Sequence, residues 1–377
     1  GELGIIYDSN NRFLAVAFYE PASPIRLRIV SREAGRAVDE AFWKARFDSC
    51  VEMRKHAFDD ERTNGYRLIH GESEGWPGLV LDRYAETGVL KLYSAAWFLL
   101  LPTLVELVRG VGVERVVLRM SRNLAEQART IPNFKELRAP GGEATPGVMV
   151  EDGIVLSGPP VERPVVFREN GLLFEADVLR GQKTGFFLDQ RDNRLFTSEL
   201  RPMKDLLNVF SFSGGFSVYA AAAGAASVTN LDISAHALAS AERNLKLNAS
   251  RPAVAACKLH QVQADAFEWL EQRGPSYDVV VLDPPSLAKR EQERGRALEA
   301  YKRLAVLGAA RVRPGGTLVA ASCSAHVSQE EFFSAVLQSL SGTRRSFREL
   351  SRTGHPIDHP ATFREAQYLK CIYLQMD

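Results

Sequence analysis

The chain has 377 residues, 45% of them apolar and 25% charged, which excludes both a disulfide-stapled mini-protein and a disordered chain and leaves room for two or three cores of about 150 residues each. Its 47 basic and 46 acidic residues sum to +1, so any surface that attracts nucleic acid must be local rather than a property of the whole chain. Cys50, Cys257, Cys323 and Cys371 form no Cys-x-x-Cys pair, and no apolar run approaches the roughly 20 residues of a membrane span. A reducing cytoplasm and no membrane partner are therefore expected. The chain opens at Gly1 without a Met or a signal peptide, and its start is read as truncated.

Short apolar runs, Phe13 to Tyr19 and Ile25 to Val30, alternate with the turn signals Asp8-Ser9-Asn10-Asn11 and Pro21-Ala22-Ser23-Pro24, as in a small β module. Val38, Phe42, Ala45, Phe47 and Val51 lie at helical spacing and predict an amphipathic helix over 38–58. Strands are expected at Tyr66 to His70, Leu79 to Tyr84, Val89 to Ala95 and Arg115 to Met120, with a turn at Trp76-Pro77-Gly78 and a helix from Leu101 to Val108. Together they make an α+β unit. The turn-rich stretches Pro140 to Gly147 and Ser157 to Pro160 mark a boundary. Beyond it Leu206 to Phe210, Ser227 to Asp232, Leu259 to Gln263, Tyr277 to Asp283 and Gly316 to Ser322 are β-like runs separated by helical segments, the pattern of a doubly wound α/β domain.

The run Leu206 to Phe216 passes from an apolar strand into a glycine turn and then into an alanine-rich helix over Val218 to Ala223, so a ligand approaches the backbone around Asn208, Phe210, Ser211, Phe212 and Gly214. The turn is not Gly-x-Gly-x-x-Gly, and the Lys and Ser/Thr of a phosphate cradle are missing, which disfavours a dinucleotide or ATP. A nucleoside without phosphate fits better. Asp232, followed by Ile233, ends the next strand where a carboxylate accepts from both ribose hydroxyls. Asp265, followed by Ala266, stands at the end of a third strand, in place to accept from a purine amine. Taken singly, each of these residues reads equally well as a turn former or a helix cap.

Asp283-Pro284-Pro285-Ser286 follows an apolar strand, and two prolines without N–H donors stiffen the turn that carries the carboxylate. Ser322-Cys323-Ser324 closes the last strand, which puts Cys323 at the same sheet edge as Asp283. The other three cysteines read as small buried hydrophobes.

These segments resemble the bacterial PUA-linked class I S-adenosylmethionine-dependent 23S ribosomal RNA (cytosine-5) methyltransferases. The likeness is carried by Gly181 to Arg194, Asn208 to Phe216, Asp283-Pro284-Pro285, Ser322-Cys323-Ser324, Asp358-His359-Pro360 and Tyr368-Leu369-Lys370, and it spans nearly the whole chain. It implies a Rossmann-like methyltransferase domain with a β-hairpin linker over 151–377, a small α+β domain over 34–150 and a partial β PUA-like module over 1–33. The implied cofactor is S-adenosyl-L-methionine. The implied partner is RNA, specifically 23S rRNA with an unstacked cytosine, and a homodimer is considered. The cofactor-binding set is then Asn208, Phe210, Ser211, Phe212, Gly214, Asp232, Ile233, Asp265, Ala266 and Asp283, with Gln190 or Arg191 turned toward the cofactor's carboxylate. In the mechanism this implies, Cys323 adds to carbon 6 of cytosine and Asp283 shares a proton with N3 before carbon 5 takes the methyl group. His326 is left without a role.

Two departures from the family pattern bear on the base. Pro285-Ser286 stands where many RNA cytosine-5 methyltransferases carry a second Cys, and related enzymes with Asp-Pro-Pro act on guanine. An RNA guanine N-methyltransferase is therefore the first alternative. A nicotinamide-dependent oxidoreductase and an inactive RNA-binding assembly factor are further ones.

Overall fold

The computed structural model describes residues 2–128 and 151–377. The turn-rich stretch Pro140 to Gly147 lies outside the described residues. The chain divides into two compact units, one made of Gly1–Gly171, Glu175–Leu188 and Ile357–Pro360, the other of Leu172–Phe174, Asp189–Pro356 and Ala361–Asp377.

The first unit opens with an antiparallel sheet of β1 (Glu2–Tyr7), β2 (Phe13–Tyr19) and β3 (Leu27–Ser31). Helix α1 (Glu40–Ala57) begins where the Asp39 side chain accepts from the Phe42 N–H, and it buries Phe42, Trp43, Phe47 and Val51 on one face. A five-stranded sheet runs in the order β4 (Gly65–His70), β5 (Leu79–Tyr84), β6 (Thr87–Leu92), β7 (Arg115–Met120) and β8 (Ile154–Ser157). The pair β6–β7 is parallel because α2 (Leu101–Arg109) lies between them in the chain. The short α3 (Arg122–Ala128) follows, and β9 (Val165–Glu169) and β10 (Leu172–Ala176) come after the undescribed stretch. The strand expected to reach Ala95 stops at Leu92, because the Ser94 hydroxyl accepts from the Ala96 N–H and opens a 3-10 turn over Ala95–Leu100. In the core Trp43 meets Trp97 edge-on at 4.9 Å between centroids and Trp76 at a tilt, and Trp76 stacks on Trp97. Arg67 and Asp82, both buried, form a two-pronged pair at 2.7 and 2.9 Å, and the Asp358 carboxylate accepts from the Arg67 backbone N–H at 2.9 Å.

The second unit is a seven-stranded sheet in the order β13 (Lys258–Gln263), β12 (Ser227–Asp232), β11 (Asp205–Val209), β14 (Tyr277–Leu282), β15 (Val312–Ser322), β17 (Lys370–Met376) and β16 (Phe347–Thr353). The first five strands are mutually parallel, and β17 runs antiparallel between β15 and β16. This is a Rossmann-like sheet. Its helices α4 (Arg191–Glu199), α5 (Gly215–Ala222), α6 (Ala235–Leu247), α7 (Pro252–Ala256), α8 (Ala266–Glu271), α9 (Arg294–Ala309) and α10 (Gln329–Ser341) bury the apolar stripes that leave β11 and β14 almost without exposure. The order reverses at β11, from which the chain proceeds outward to β12 and later to β14, so the carboxyl ends of these strands open the crevice where such sheets bind ligands. Among the described residues no helix is long and apolar enough to cross a membrane.

Candidate active site at the carboxyl edge of the seven-stranded sheet

The turn after β11 is built from three left-handed residues at alternate positions, Phe210 (φ +59°), Phe212 (φ +45°) and Gly214 (φ +73°). Left-handed backbone costs a side-chain-bearing residue about 1–2 kcal/mol, so the two phenylalanines persist only because other contacts hold them. The Asp232 carboxylate supplies one such contact, accepting from the Phe212 N–H at 2.8 Å with Oδ2 and from the Ser234 N–H at 2.9 Å with Oδ1. Gly214 is required for space as well as for φ, since a Cβ there would lie 2.7 Å from the Ala241 Cβ. Asn208 is buried beneath the turn and donates to the Ser217 hydroxyl at 3.2 Å, which donates in turn to Asn230 at 2.5 Å. Its amide therefore supports the turn from inside the fold.

Beside Asp232 the Ile233 side chain is 69% exposed, an apolar surface at a strand end with no packing duty of its own. Asp265 lies two residues beyond β13 and caps α8, its Oδ1 accepting from Phe267 and Glu268 N–H at 2.9 and 3.1 Å, while Ala266 is buried in the first turn. Both cap bonds use one oxygen, so Oδ2 remains available to an incoming donor. Ser211 is buried, and its hydroxyl has no hydrogen-bond partner in the turn. An orphaned hydroxyl under a strained turn, an exposed apolar side chain and two strand-end carboxylates fit a purine nucleoside with a polar tail.

Asp283 follows β14, with its N–H donating to Val209 O at 3.4 Å across the sheet. Its Oδ1 accepts from the Gln190 side chain at 2.8 Å. Gln190 in turn accepts from Asn193 Nδ2 at 2.5 Å, and Asn193 Oδ1 accepts from the Thr353 hydroxyl at 2.5 Å and the Tyr373 hydroxyl at 3.2 Å. Because the two hydroxyls donate to the Asn193 oxygen, its NH₂ must face Gln190, and the Gln190 NH₂ must face Asp283. The relay thus orients the carboxylate. Gln190, one of the two residues expected to turn toward a cofactor carboxylate, donates to Asp283, and the other, Arg191, is buried with its Nε 3.2 Å from Asp192 Oδ1. Phe186 and Leu188 ahead of them are buried.

Cys323 leaves the end of β15 and directs its thiol to the Pro284 carbonyl at 3.8 Å, which sets it against the Asp-Pro-Pro turn. It is half-buried, whereas the other three cysteines are buried. Burial pushes Cys50 and Cys371 up to about 12 and Cys257 up to about 11. The serines flanking Cys323 are anchored. Ser322 donates to the Tyr301 hydroxyl at 2.8 Å, and the Ser324 hydroxyl lies 2.9 Å from Tyr301 and accepts from the Leu287 and Ala288 N–H groups at 3.1 and 3.3 Å. His326 lies 3.5 Å from Glu291, away from these contacts.

Reading by strand ends missed Asn193, Thr353 and Tyr373, which complete the relay, and Tyr301 and Lys370, which brace the Cys323 loop. Asn193 and Lys370 fell inside segments singled out beforehand, Gly181 to Arg194 and Tyr368-Leu369-Lys370, and nothing local distinguished the others. Among the described residues no group of three or more His, Cys, Asp or Glu is arranged to hold a metal.

Residues 148–361 match the family model of S-adenosylmethionine-dependent methyltransferases, and residues 1–32 match that of a PUA-like domain. A ribosomal RNA large subunit methyltransferase of Deinococcus radiodurans is 50% identical over 100% of this chain and 89% of its own length. A ribosomal RNA large subunit methyltransferase I of Shewanella denitrificans is 32% identical over 96% of this chain and 87% of its own. Among solved structures, one from Streptococcus mutans assigned as an S-adenosylmethionine-dependent methyltransferase superposes with a TM-score of 0.79, 19% identity and coverage of 99% of this chain and 91% of that one. A methyltransferase solved in complex with SAH gives the same TM-score at 20% identity and the same coverage.

Proposed function

Because this chain belongs to the family of S-adenosylmethionine-dependent methyltransferases, we propose that it forms 5-methylcytosine in 23S ribosomal RNA, with Cys323 as nucleophile and Asp283 as its partner on the base. The observation that carries this reading is the contact of the half-buried Cys323 thiol with the Pro284 carbonyl, one residue from the carboxylate that Gln190 bonds. When bound, the cofactor supplies an electrophilic methyl group on a sulfonium.

Ile233 offers the apolar surface for its adenine, Asp265 Oδ2 an acceptor for the amine, Asp232 acceptors for the ribose hydroxyls and Ser211 a hydroxyl for the tail. Phe210, Phe212, Gly214 and Ala266 shape the backbone around it, Asn208 supports the turn, and Arg191 follows the relay residue Gln190. Carbon 5 of cytosine is a poor nucleophile until the ring's aromaticity is broken. The Cys323 thiolate does this by forming a bond to carbon 6, and the displaced electron pair settles on N3, which takes up a proton from solvent and donates it in a hydrogen bond to the Asp283 carboxylate. Once carbon 5 has gained its methyl group, its proton and the N3 proton pass to solvent, the carbon–sulfur bond breaks and the thiolate is regenerated. Gln190 donates to Asp283 Oδ1 at 2.8 Å, so the carboxylate is oriented before the base arrives.

The target base must leave its stack to enter, which favours single-stranded or locally opened RNA. Lys289, Arg290 and Arg296, all exposed near the Asp-Pro-Pro turn, are cations suited to the phosphates beside it. Residues 1–33, 34–150 and 151–377 serve in this reading as RNA-binding module, central domain and transferase. A second copy of the chain is a further partner that sedimentation at assay concentrations detects.

The test is RNA carrying 5-fluorocytosine at the target. Fluorine at carbon 5 cannot leave as a proton, so the protein should remain covalently attached. Cys323→Ser should still bind the cofactor and lose both adduct and turnover. Methylation at the normal rate by that variant overturns the cytosine reading and leaves the guanine alternative.

A further inference from the structure

Lys370 has no place in the mechanism above. It is the first residue of β17, opposite Ser322 at the end of β15, and its side chain is fully buried. Its ammonium donates to the Ser324 carbonyl at 2.5 Å and to the Val327 carbonyl, both on the segment that leaves Cys323. A buried ammonium needs an opposite charge or several acceptors to offset its lost hydration, and two carbonyls are neutral acceptors.

Among the described residues, the titratable groups near Cys323 include Lys370, Tyr301, Asp283 and His326. Lys370 on β17 pairs with Ser322 and bonds the carbonyl of Ser324, the residues on either side of Cys323, which brings its ammonium to the sulfur's loop. The Tyr301 phenol on α9 interacts with it, but burial pushes that phenol up, so it is neutral near pH 7. Asp283 follows β14, one residue before the Pro284 carbonyl that the thiol touches, and its negative charge opposes ionisation of the sulfur. His326 lies further along the loop, 3.5 Å from Glu291. Within this set Lys370 carries the positive charge.

We propose that Lys370 is the positioning residue for Cys323, its strapped ammonium holding the sulfur as a thiolate while fixing the loop that aims it. The proton leaves the thiol for solvent, and the negative charge formed on Sγ is the counter-charge that the buried ammonium lacks. Burial pulls Lys370 down to about 8 and the attraction of Cys323 works the other way, so the ammonium is still mostly protonated at pH 7. Being fully buried, Lys370 acts through Cys323 and not on the base. This inference rests on the cytosine reading, in which Cys323 is the nucleophile, and deepens it.

The test uses the full chain without RNA or cofactor. Alkylation of Cys323 by iodoacetamide is followed against pH by mass spectrometry of its peptide, in wild type and in Lys370→Gln. An opposite charge within a few ångströms shifts a pKa by about 1–3, so the variant's midpoint should rise by at least about one pH unit, roughly tenfold less thiolate at pH 7. SAH binding checks that the variant is folded. Coupling between two sites is reciprocal, so Cys323→Ser should lower the Lys370 midpoint, read from ¹³C-labelled lysine by NMR, even if Lys370→Gln fails to fold. An unmoved Cys323 midpoint in folded Lys370→Gln, or an unmoved Lys370 midpoint in Cys323→Ser, overturns the proposal. Methylation that survives Cys323→Ser overturns the cytosine reading instead, and the two midpoints report on the pair either way.

Discussion

Replacing Asp232 by Ala separates a cofactor ligand from a loop tie. Its two carboxylate oxygens accept the Phe212 and Ser234 N–H groups at 2.8 and 2.9 Å. Hydrogen bonds to a charged group contribute about 1.5–3 kcal/mol each, and partial exposure of the carboxylate argues for the lower end, so the free protein should lose about 3 kcal/mol from the turn. The left-handed Phe210 and Phe212, each strained by about 1–2 kcal/mol, would then relax. Loss of the ribose acceptors removes a further ~1.5–3 kcal/mol from binding, which is roughly 10-fold to 150-fold in Kd. Reordering the relaxed turn on binding adds to that. Asp232→Asn should fall between, because one amide oxygen can accept from one of the two N–H groups. Titration calorimetry with SAH gives Kd, and thermal unfolding gives stability. A variant that melts earlier yet binds within twofold of wild type would show that Asp232 serves only the turn, and the ribose assignment would be wrong.

Three further outcomes are expected. Gly214→Ala should lower stability by about 1–3 kcal/mol, because it combines an unfavourable positive φ with a Cβ 2.7 Å from Ala241, and a melting temperature equal to wild type would contradict the packing. Asp82→Ala strands the buried Arg67 guanidinium and should cost about 3–5 kcal/mol, measured by urea unfolding, with a cost below about 1 kcal/mol refuting the pair's importance. At pH 8 the thiolate fractions of Cys50, Cys371 and Cys257 should be only about 10⁻³ to 10⁻⁴, since their thiols are raised to about 12, 12 and 11 and ionise only well above that pH. Brief alkylation of the folded protein should therefore label Cys323 first, and equal labelling of all four by peptide mass would refute the burial argument.

Local patterning made the parallel half of the sheet legible. The runs read at Ser227 to Asp232 and Leu206 to Phe210 coincide with β12 and, within a residue at each end, with β11, because strands buried on both faces are rich in apolar and β-branched residues, here with the buried polar residues Asn208, Thr229 and Asn230 among them. The same logic put Asp232, Asp283 and Cys323 at strand ends, which is a statement about position along the chain. The antiparallel edge was not read as strands. In β16 most residues are exposed or half-buried and polar, so Phe347–Thr353 carries no apolar alternation, and its pairing comes from β17.

The amino-acid sequence by itself determined the α/β class, most of the strands and the placing of acids and a thiol after them, because each depends on hydrophobic period and turn chemistry within a few residues. Tertiary structure alone decided what those groups touch. Gln190 meets Asp283 across 93 residues and Lys370 reaches Ser324 across 46, and no local pattern encodes such separations. Left-handed φ at Phe210 and Phe212 has no signature in residue type, since phenylalanine disfavours it and only the carboxylate of Asp232 and the packing beneath hold the turn there. The sheet order that sets β17 against β15 is what turns a lysine near the end of the chain into a neighbour of Cys323.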